Sequence, residues 1–144
     1  MTWRGPSQRA QAVVEAFDTN VVVRLLVRDD EVQCQRAERA LQQAVAAGGA
    51  WISSVVMVET SWVLRVAYKF DRATIAAALR RLQSSEDIHL EDEPAVLRAL
   101  SQFEIGPADF ADYFILDAAR VARALPLHTF DERLARADGA MRVQ

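Results

Sequence analysis

Short apolar runs alternate along the chain with longer stretches in which apolar residues recur at helical spacing. The runs at 13–17, 51–52, 88–90 and 126–130 predict strands. Helices are predicted between and after them, at 21–27, 31–47, 55–69, 72–83, from 93 onward, 108–124 and 132–137, with a last extended piece at 140–143. Because strands alternate with helices, we expect an α/β fold in which helices flank a central, mostly parallel sheet on both faces.

Residues that start and stop helices support this division of the chain. Ser53, Ser54 and Asp71 are suited to cap the helices that follow them, and Gly48-Gly49 ends the helix before it. No internal repeat, low-complexity tract or linker interrupts residues 16–144, so we expect a single domain there.

The first fifteen residues stand apart from this pattern. They contain Arg and Gln and no continuous apolar segment, so they do not resemble a secretory signal. Two interpretations stay open for residues 1–15: a disordered N-terminal tail, or residues read from a start codon upstream of the native one.

Composition bounds the class of protein. Of the 144 residues, 51% are hydrophobic and 26% are charged, which is typical of a globular domain with a sizeable core. No apolar run reaches the length needed to cross a bilayer. The lone cysteine, Cys34, permits no internal disulfide and is interpreted as a small apolar residue on a helix. We therefore expect a cytoplasmic protein without a membrane segment.

Charge gives a weaker indication. The net charge of −3 does not mark a nucleic-acid binder. The cations are almost all arginine, 16 against the single Lys69, and arginine binds phosphate in a bidentate way. A coding bias towards arginine explains this excess better than function does. Most of the 20 acids, Asp29 and Glu91 among them, are interpreted as solvated surface residues.

Four acids have unusual surroundings. Asp18 and Asp131 each follow a predicted strand, and right-handed crossovers bring such loops to the sheet edge where α/β folds bind ligands. Glu59 and Asp112 lie in otherwise apolar helices. A carboxylate in apolar surroundings must be paired, hydrogen-bonded or metal-bound. A divalent cation satisfies several carboxylates at once, and all-oxygen sites suit Mg²⁺ or Mn²⁺.

Asp109 and Asp112 share a helix face because they are three residues apart. Asp109 lies in the first turn, where capping or the helix dipole explains a negative side chain. Asp112 lies deeper in the helix and lacks that explanation. We therefore interpret Asp112 as a metal ligand and Asp109 as a supporting residue behind it.

Four segments in this order resemble the PIN-domain nucleases, and among them the VapC toxins of bacterial toxin–antitoxin pairs. They are 17–26 with Asp18-Thr19-Asn20, 52–64 with Glu59 and Trp62-Val63-Leu64, 108–116 with Asp109 and Asp112, and 126–135 with Thr129-Phe130-Asp131. The resemblance runs from about Phe17 to the C-terminus, and the agreement of four motifs makes it specific.

The resemblance implies a PIN-like three-layer sandwich and an Mg²⁺- or Mn²⁺-dependent endoribonuclease that acts as the toxin of such a pair. It also implies a homodimer and inhibition by a VapB-type antitoxin. The implied catalytic and metal-binding residues are Asp18, Glu59, Asp112 and Asp131. The implied supporting residues are Asp109, Thr19, Asn20 and Thr129.

Two departures from the family's usual pattern stand out. The N-terminal segment is longer, and Tyr113-Phe114 follows the third acid, where bulky side chains would narrow the pocket. Three arginines near the motifs are candidates for RNA contact, although ordinary surface solvation also explains them: Arg24, Arg28 and Arg65.

Rival functions fit the residues less well. Zinc is not indicated, because His89 and His128 stand alone. A phosphate-accepting receiver domain needs a lysine after a late strand, whereas Lys69 lies mid-chain, and a haloacid-dehalogenase-like phosphatase needs aspartate where Asn20 stands. A catalytically degenerate PIN module that only binds RNA or protein remains as the alternative, and it calls for a missing acid.

Overall fold

The computed structural model describes residues 13–144, so the expectation for residues 1–12 of the N-terminal segment lies outside the described residues. The described part of the chain contains strands and helices in alternation. In chain order these are β1 (Glu15–Ala16), α1 (Thr19–Leu26), α2 (Glu31–Ala47), β2 (Ala50–Ile52), α3 (Ser54–Val66), α4 (Arg72–Ser84), β3 (Ile88–Leu90), α5 (Glu93–Ile105), α6 (Phe110–Val121), β4 (Leu127–Thr129), a 3₁₀ turn (Leu134–Arg136) and β5 (Ala140–Arg142).

All strand pairs in this part of the chain are parallel. β2 lies between β1 and β3, with Trp51 opposite Ala16 on one side and opposite His89 on the other. β4 pairs with β5, with Leu127 opposite Ala140, and forms a second ladder instead of extending the first. The predicted α/β fold with parallel strands is therefore confirmed.

The helices pack around one hydrophobic core. α3 lies at its centre and contacts α1, α4 and α6, while α5 packs against α4 and α6. Because apolar burial is the main driving force for folding, the largest buried side chains mark this core. They are Phe110, Ile52, Met57, Leu64, Leu79, Leu100, Leu116, Val22 and Val96.

Helix boundaries differ from the predicted ones where the backbone leaves the helical region. α3 ends at Val66 and not at 69, and Lys69 has a left-handed φ of 55°. α6 ends before Arg123, whose φ is 59°, and begins after Asp109, which occupies the N-cap position. Such left-handed residues commonly follow a helix end.

Two of the three predicted caps are confirmed, whereas Ser54 is the first residue of α3 and not its cap. Ser53 Oγ accepts from the backbone N–H of Val56 at 3.1 Å, and Asp71 Oδ1 accepts from that of Thr74 at 2.8 Å. Cys34 is fully buried and donates its S–H to the carbonyl of Val27, in agreement with its interpretation as a small core residue. Among residues 13–144, no helix combines the length and the hydropathy that a membrane crossing requires.

Candidate active site

Asp18 follows β1, with Phe17 between them, and caps α1. Its backbone is extended, with φ −86° and ψ 174°, and its Oδ1 accepts from the N–H of Val21 at 3.1 Å. One of the amides left without a partner at the helix start is thereby satisfied. The strand-end position predicted for this acid is thus confirmed, and the side chain is exposed.

Glu59 lies in the middle of α3 and meets the first motif through Thr19. The Thr19 hydroxyl donates to Glu59 Oε1 at 3.1 Å, across 40 residues of sequence. The contact follows from the packing of α1 against α3. It brings Thr19, which follows Asp18 in the sequence, into contact with Glu59.

Asp109 and Asp112 form the start of α6. Asp109 takes the N-cap position, and its backbone N–H donates to Asp112 Oδ2 at 3.2 Å. An acid at the third helical position that accepts from the N-cap amide is one half of a capping box. The expectation that Asp109 has a capping role is confirmed. The idea that Asp112 lacks a structural explanation is wrong, because its carboxylate also closes the helix end.

Asp112 is the half-buried member of the four acids. Burial raises the pKa of its carboxyl above the ordinary value, the backbone bond from Asp109 lowers it, and the negative charges of Asp109 and Asp131 raise it. Arg65 opposes these charges and forms an ion pair with Asp109, with 3.4 Å between Nε and Oδ2. Like charges near a partly desolvated carboxylate disfavour its charged form. Asp109, Asp112 and Asp131 therefore form one electrostatic group.

Asp131 follows β4 and caps the 3₁₀ turn. Its Oδ1 accepts from the backbone N–H groups of Arg133 at 2.8 Å and Leu134 at 2.9 Å. The Thr129 hydroxyl accepts from the N–H of Asp131 at 3.0 Å. Thr129 thus supports Asp131 through its backbone and makes no bond to the carboxylate in the described residues.

The carboxylates of the four acids are hydrogen-bonded in the same way. Each has one carboxylate oxygen held by a hydrogen bond, while no bond within residues 13–144 occupies the other oxygen. The held oxygen fixes the orientation of each side chain at a helix start or on α3. The second oxygen is left to accept a ligand.

α3 connects the two groups of acids. It carries Glu59 beside Thr19 and, six residues later, Arg65 beside Asp109. At 1.5 Å per residue the two positions are separated by roughly 9 Å along the axis. No hydrogen bond within residues 13–144 joins Asp18 to Asp112.

The four acids differ in exposure. Asp18, Glu59 and Asp131 are exposed, and Asp112 alone is half-buried, so apolar neighbours in sequence do not place Glu59 in apolar surroundings. On a helix, neighbours in sequence point in different directions. Glu59 therefore faces solvent although the next residue, Thr60, is fully buried.

The donor set fits a hydrated Mg²⁺ or Mn²⁺ ion better than a dehydrated one. Within residues 13–144, no three acidic, histidine or cysteine side chains stand close enough to form a ready-made metal cage. Mg²⁺ is commonly held by only one or two carboxylates and keeps several waters. Asp112, half-buried with Asp131 nearby and with one oxygen left over, matches that requirement.

Other predicted residues lie further from the acids. Asn20 lines a groove between α1 and α2 together with Arg36. Arg24 is tied to Asp29 at 3.1 Å and to the Tyr68 hydroxyl at 2.8 Å. Ion pairs also engage Arg28, with Glu31 and Glu38. Of the three arginines predicted for RNA contact, Arg65 is the one beside the acid group.

The concern that Tyr113 narrows the pocket is wrong. Its side chain is 3% exposed and packs into the core, and its hydroxyl accepts from the N–H of Ala108 at 3.2 Å. Phe114 packs against Phe110 with the rings tilted by 45° and 5.9 Å between their centres.

The sequence pattern did not single out one further acid, Asp117, which is buried. Asp117 is 2% exposed on α6 and receives both Nε and Nη2 of Arg98 on α5, at 2.7 and 3.0 Å. Its apolar neighbours, Leu116 and Ala118, gave the same signal as those of Asp112. The bidentate ion pair shows that Asp117 joins two helices, a structural role.

Comparison with known families agrees with this geometry. The model of the PIN domain matches residues 16–140, so the chain belongs to the PIN-domain family. This is generally a nuclease fold, and its members typically use divalent metal ions. A search of curated proteins returned no match.

Proposed function

We propose that this protein is an Mg²⁺- or Mn²⁺-dependent endoribonuclease that hydrolyses RNA phosphodiester bonds. The observation that carries the proposal is the grouping of half-buried Asp112 with Asp109 and Asp131 in a PIN-domain fold. Mutual repulsion of these carboxylates costs free energy that a bound cation relieves. The resemblance of the four sequence motifs supports the narrower choice of RNA as the substrate.

The proposed division of labour follows the positions of the acids. Asp112 and Asp18 would hold the principal ion, directly or through water, and Asp131 would complete its surroundings. Such an ion would supply positive charge against the phosphate oxygens and would make an attacking water more acidic. Glu59 orients or deprotonates that water, or holds a second ion, and the Thr19 hydrogen bond fixes the carboxylate in one orientation.

Arg65 is the proposed contact to the RNA phosphates. It is 46% exposed and lies against Asp109, so it presents positive charge at the edge of an otherwise negative site. A polyanionic substrate needs such a cation to approach carboxylates. Arg24 and Arg28 pair with Asp29 and Glu38, which are not among the site acids, and are weaker candidates.

The resemblance to VapC toxins supports a biological role as the toxin of a cytoplasmic toxin–antitoxin pair. We further propose that residues 16–144 form one domain, that the protein is a homodimer, and that a small VapB-type antitoxin inhibits it. Trp62 and Val66 on α3 are exposed and offer apolar area for such contacts. Light scattering, and co-expression with the neighbouring gene, test these assignments.

The decisive experiment measures cleavage of a labelled RNA by purified protein. Protein stripped with excess chelator should be inactive, and millimolar Mg²⁺ or Mn²⁺ should restore cleavage. Full cleavage in chelator contradicts the proposed metal dependence. Binding of RNA without any cleavage in either metal identifies the degenerate binding module instead.

A further inference from the structure

The start of α6 carries Asp109 and Asp112 and is called the acid turn. Two side chains, Arg72 and Tyr113, hold the segment that leads into it. Residues 106–108 connect the end of α5 to Asp109, the N-cap residue, and Asp112 follows one turn later. The position of both carboxylates therefore depends on where this connection lies.

Arg72, the first residue of α4, binds the connection through its carbonyl groups. Its Nη1 donates to the carbonyls of Pro107 at 3.2 Å and Ala108 at 2.8 Å. Its Nη2 donates to those of Phe103 and Gly106. The guanidinium carbon also lies 4.3 Å from the centre of the Phe103 ring, at a distance typical of a cation–π contact.

The guanidinium supplies hydrogen-bond donors to backbone carbonyls at the end of α5 and in the connection that follows it. The last carbonyls of a helix find no N–H donor within it, and Phe103 lies in the final turn of α5. The planar, multi-donor guanidinium suits several converging carbonyls, whereas a lysine ammonium cannot reach them in the same geometry.

Tyr113 holds the connection from the core side. Its hydroxyl accepts from the N–H of Ala108 at 3.2 Å. The fit is close, because a Cβ added at Gly106 would lie 2.0 Å from that hydroxyl oxygen. Any side chain at position 106 would therefore displace Tyr113 or the backbone.

We propose that Arg72 and Tyr113 are positioning residues that hold Asp109 and Asp112 in place for the divalent ion. The inference rests on the proposed function. Asp109 and Asp112 carry like charges at the start of α6, and such charges repel each other. Contacts that fix the preceding segment therefore help to keep the two carboxylates in place. The clamp formed by Arg72 and Tyr113 supplies these contacts.

The test compares metal binding in four variants. Arg72→Met removes the carbonyl bonds, Arg72→Lys keeps the charge, and Tyr113→Phe removes one hydroxyl. The matched control is Arg80→Met, because Arg80 also lies on α4 and pairs with Glu104 on α5 at 2.5 Å, away from the acid turn. Mn²⁺ affinity is measured by electron paramagnetic resonance and Mg²⁺ dependence by RNA cleavage, after circular dichroism confirms the fold.

We expect Arg72→Met and Tyr113→Phe to weaken Mn²⁺ binding by about tenfold, the scale found when residues that orient metal ligands are removed. The Mg²⁺ concentration for half-maximal cleavage should rise in parallel, with Arg72→Lys in between. Arg80→Met should leave both quantities unchanged, even if it lowers the melting temperature.

Two results overturn the inference. One is that Arg72→Met and Tyr113→Phe both fold and bind Mn²⁺ as tightly as the wild type does. The other is an equal loss of affinity in Arg80→Met, which would trace the effect to general stability. Failure of the proposed function is distinct, because then the wild-type protein itself neither binds Mn²⁺ nor cleaves RNA.

Discussion

The hydroxyl of Thr19 donates to Glu59 Oε1 at 3.1 Å and joins the helix after the first strand to the helix that carries the second acid. We predict that Thr19→Val lowers the rate of RNA cleavage by about tenfold, because a hydrogen bond to a charged group contributes about 1.5–3 kcal/mol. Thr19→Ser keeps the hydroxyl and should retain most of the rate. Initial rates at saturating Mg²⁺ check this, and equal rates for both variants would show that the bond does not orient Glu59.

Amide substitution separates the two roles of the acids. Asparagine is as good an N-cap as aspartate, and an amide oxygen still accepts from a backbone N–H. Asp18→Asn and Asp112→Asn should therefore keep the hydrogen bonds to the backbone while losing the charge. We predict that each of these variants, and Glu59→Gln, lowers RNA cleavage by roughly 100-fold or more and abolishes toxicity with the fold intact.

The control for this series has to be a carboxylate without a structural contact. Asp29 and Glu91 were interpreted as solvated, but Asp29 accepts from Tyr68 at 2.7 Å and Glu91 accepts from the N–H of Ser54 at 2.9 Å. Glu86 is exposed and makes no hydrogen bond or ion pair within residues 13–144. Glu86→Gln should cleave at the wild-type rate, and a loss equal to that of Asp112→Asn would mean that the wrong carboxylates were chosen.

The sequence predicted most helix and strand positions well, because these depend on apolar periodicity and on capping residues that lie close together in the chain. The bounds of α2 and β3 agree with the apolar periodicity, and Asp71 and Ser53 cap the helices that they precede. Errors arose where a backbone of left-handed conformation ended a helix early, as at Lys69. Such a conformation leaves no trace in the hydrophobic pattern.

The sequence predicts a set of site residues but not how they are arranged in space. Apolar neighbours flagged Glu59 and Asp112 alike, yet one is exposed and the other half-buried. The same signal at Asp117 belongs to an ion pair with Arg98, 19 residues earlier in the chain. Contacts between distant segments depend on how helices pack, and the spacing of residues along one helix does not encode them.

The ion pair between Asp117 and Arg98 should respond asymmetrically to mutation. Asp117 is 2% exposed, whereas the Arg98 side chain is 51% exposed. Removing Arg98 leaves a buried carboxylate without its partner, and because breaking a wholly buried pair costs roughly 3–5 kcal/mol, we predict a loss of about 2 kcal/mol in Arg98→Met for this partly exposed pair. Asp117→Asn should lose less, since Arg98 can turn to water.

Urea unfolding of the single variants and of the double variant measures this asymmetry. The double variant Arg98→Met/Asp117→Asn should be more stable than Arg98→Met alone, because the second change removes the buried charge. RNA cleavage should not change in Asp117→Asn, since the ion pair lies away from the acid group. A larger loss in Asp117→Asn than in Arg98→Met would contradict the proposed balance of burial.

The strain within the acid group should be visible in the stability of the metal-free protein. Burial raises the pKa of Asp112, and the charges of Asp109 and Asp131 add to the rise. Asp112→Asn removes one of three like charges and keeps an acceptor for the N–H of Asp109. We predict that it raises the melting temperature in chelator at pH 7 by a few degrees, which corresponds to about 1 kcal/mol after screening by solvent and by Arg65.

The raised pKa of Asp112 fixes how the stability advantage of Asp112→Asn changes with pH. A carboxyl whose pKa is higher in the folded state than in the unfolded state destabilises the fold when ionised, and the penalty is complete above the folded pKa. It disappears as the pH falls through the folded pKa towards the ordinary value of 3.8. The advantage of Asp112→Asn over the wild type should therefore shrink as the pH is lowered from about 7 to about 4.

Bound metal should reverse the order of thermal stability of the wild type and Asp112→Asn. A ligand that binds only the folded state stabilises it in proportion to the logarithm of its concentration over Kd. Millimolar Mg²⁺ should therefore raise the melting temperature of the wild type more than that of Asp112→Asn. Paired thermal melts in chelator and in Mg²⁺ provide the measurement. If the wild type is the more stable protein in chelator and gains nothing from Mg²⁺, Asp112 and its neighbouring carboxylates do not form one shared site.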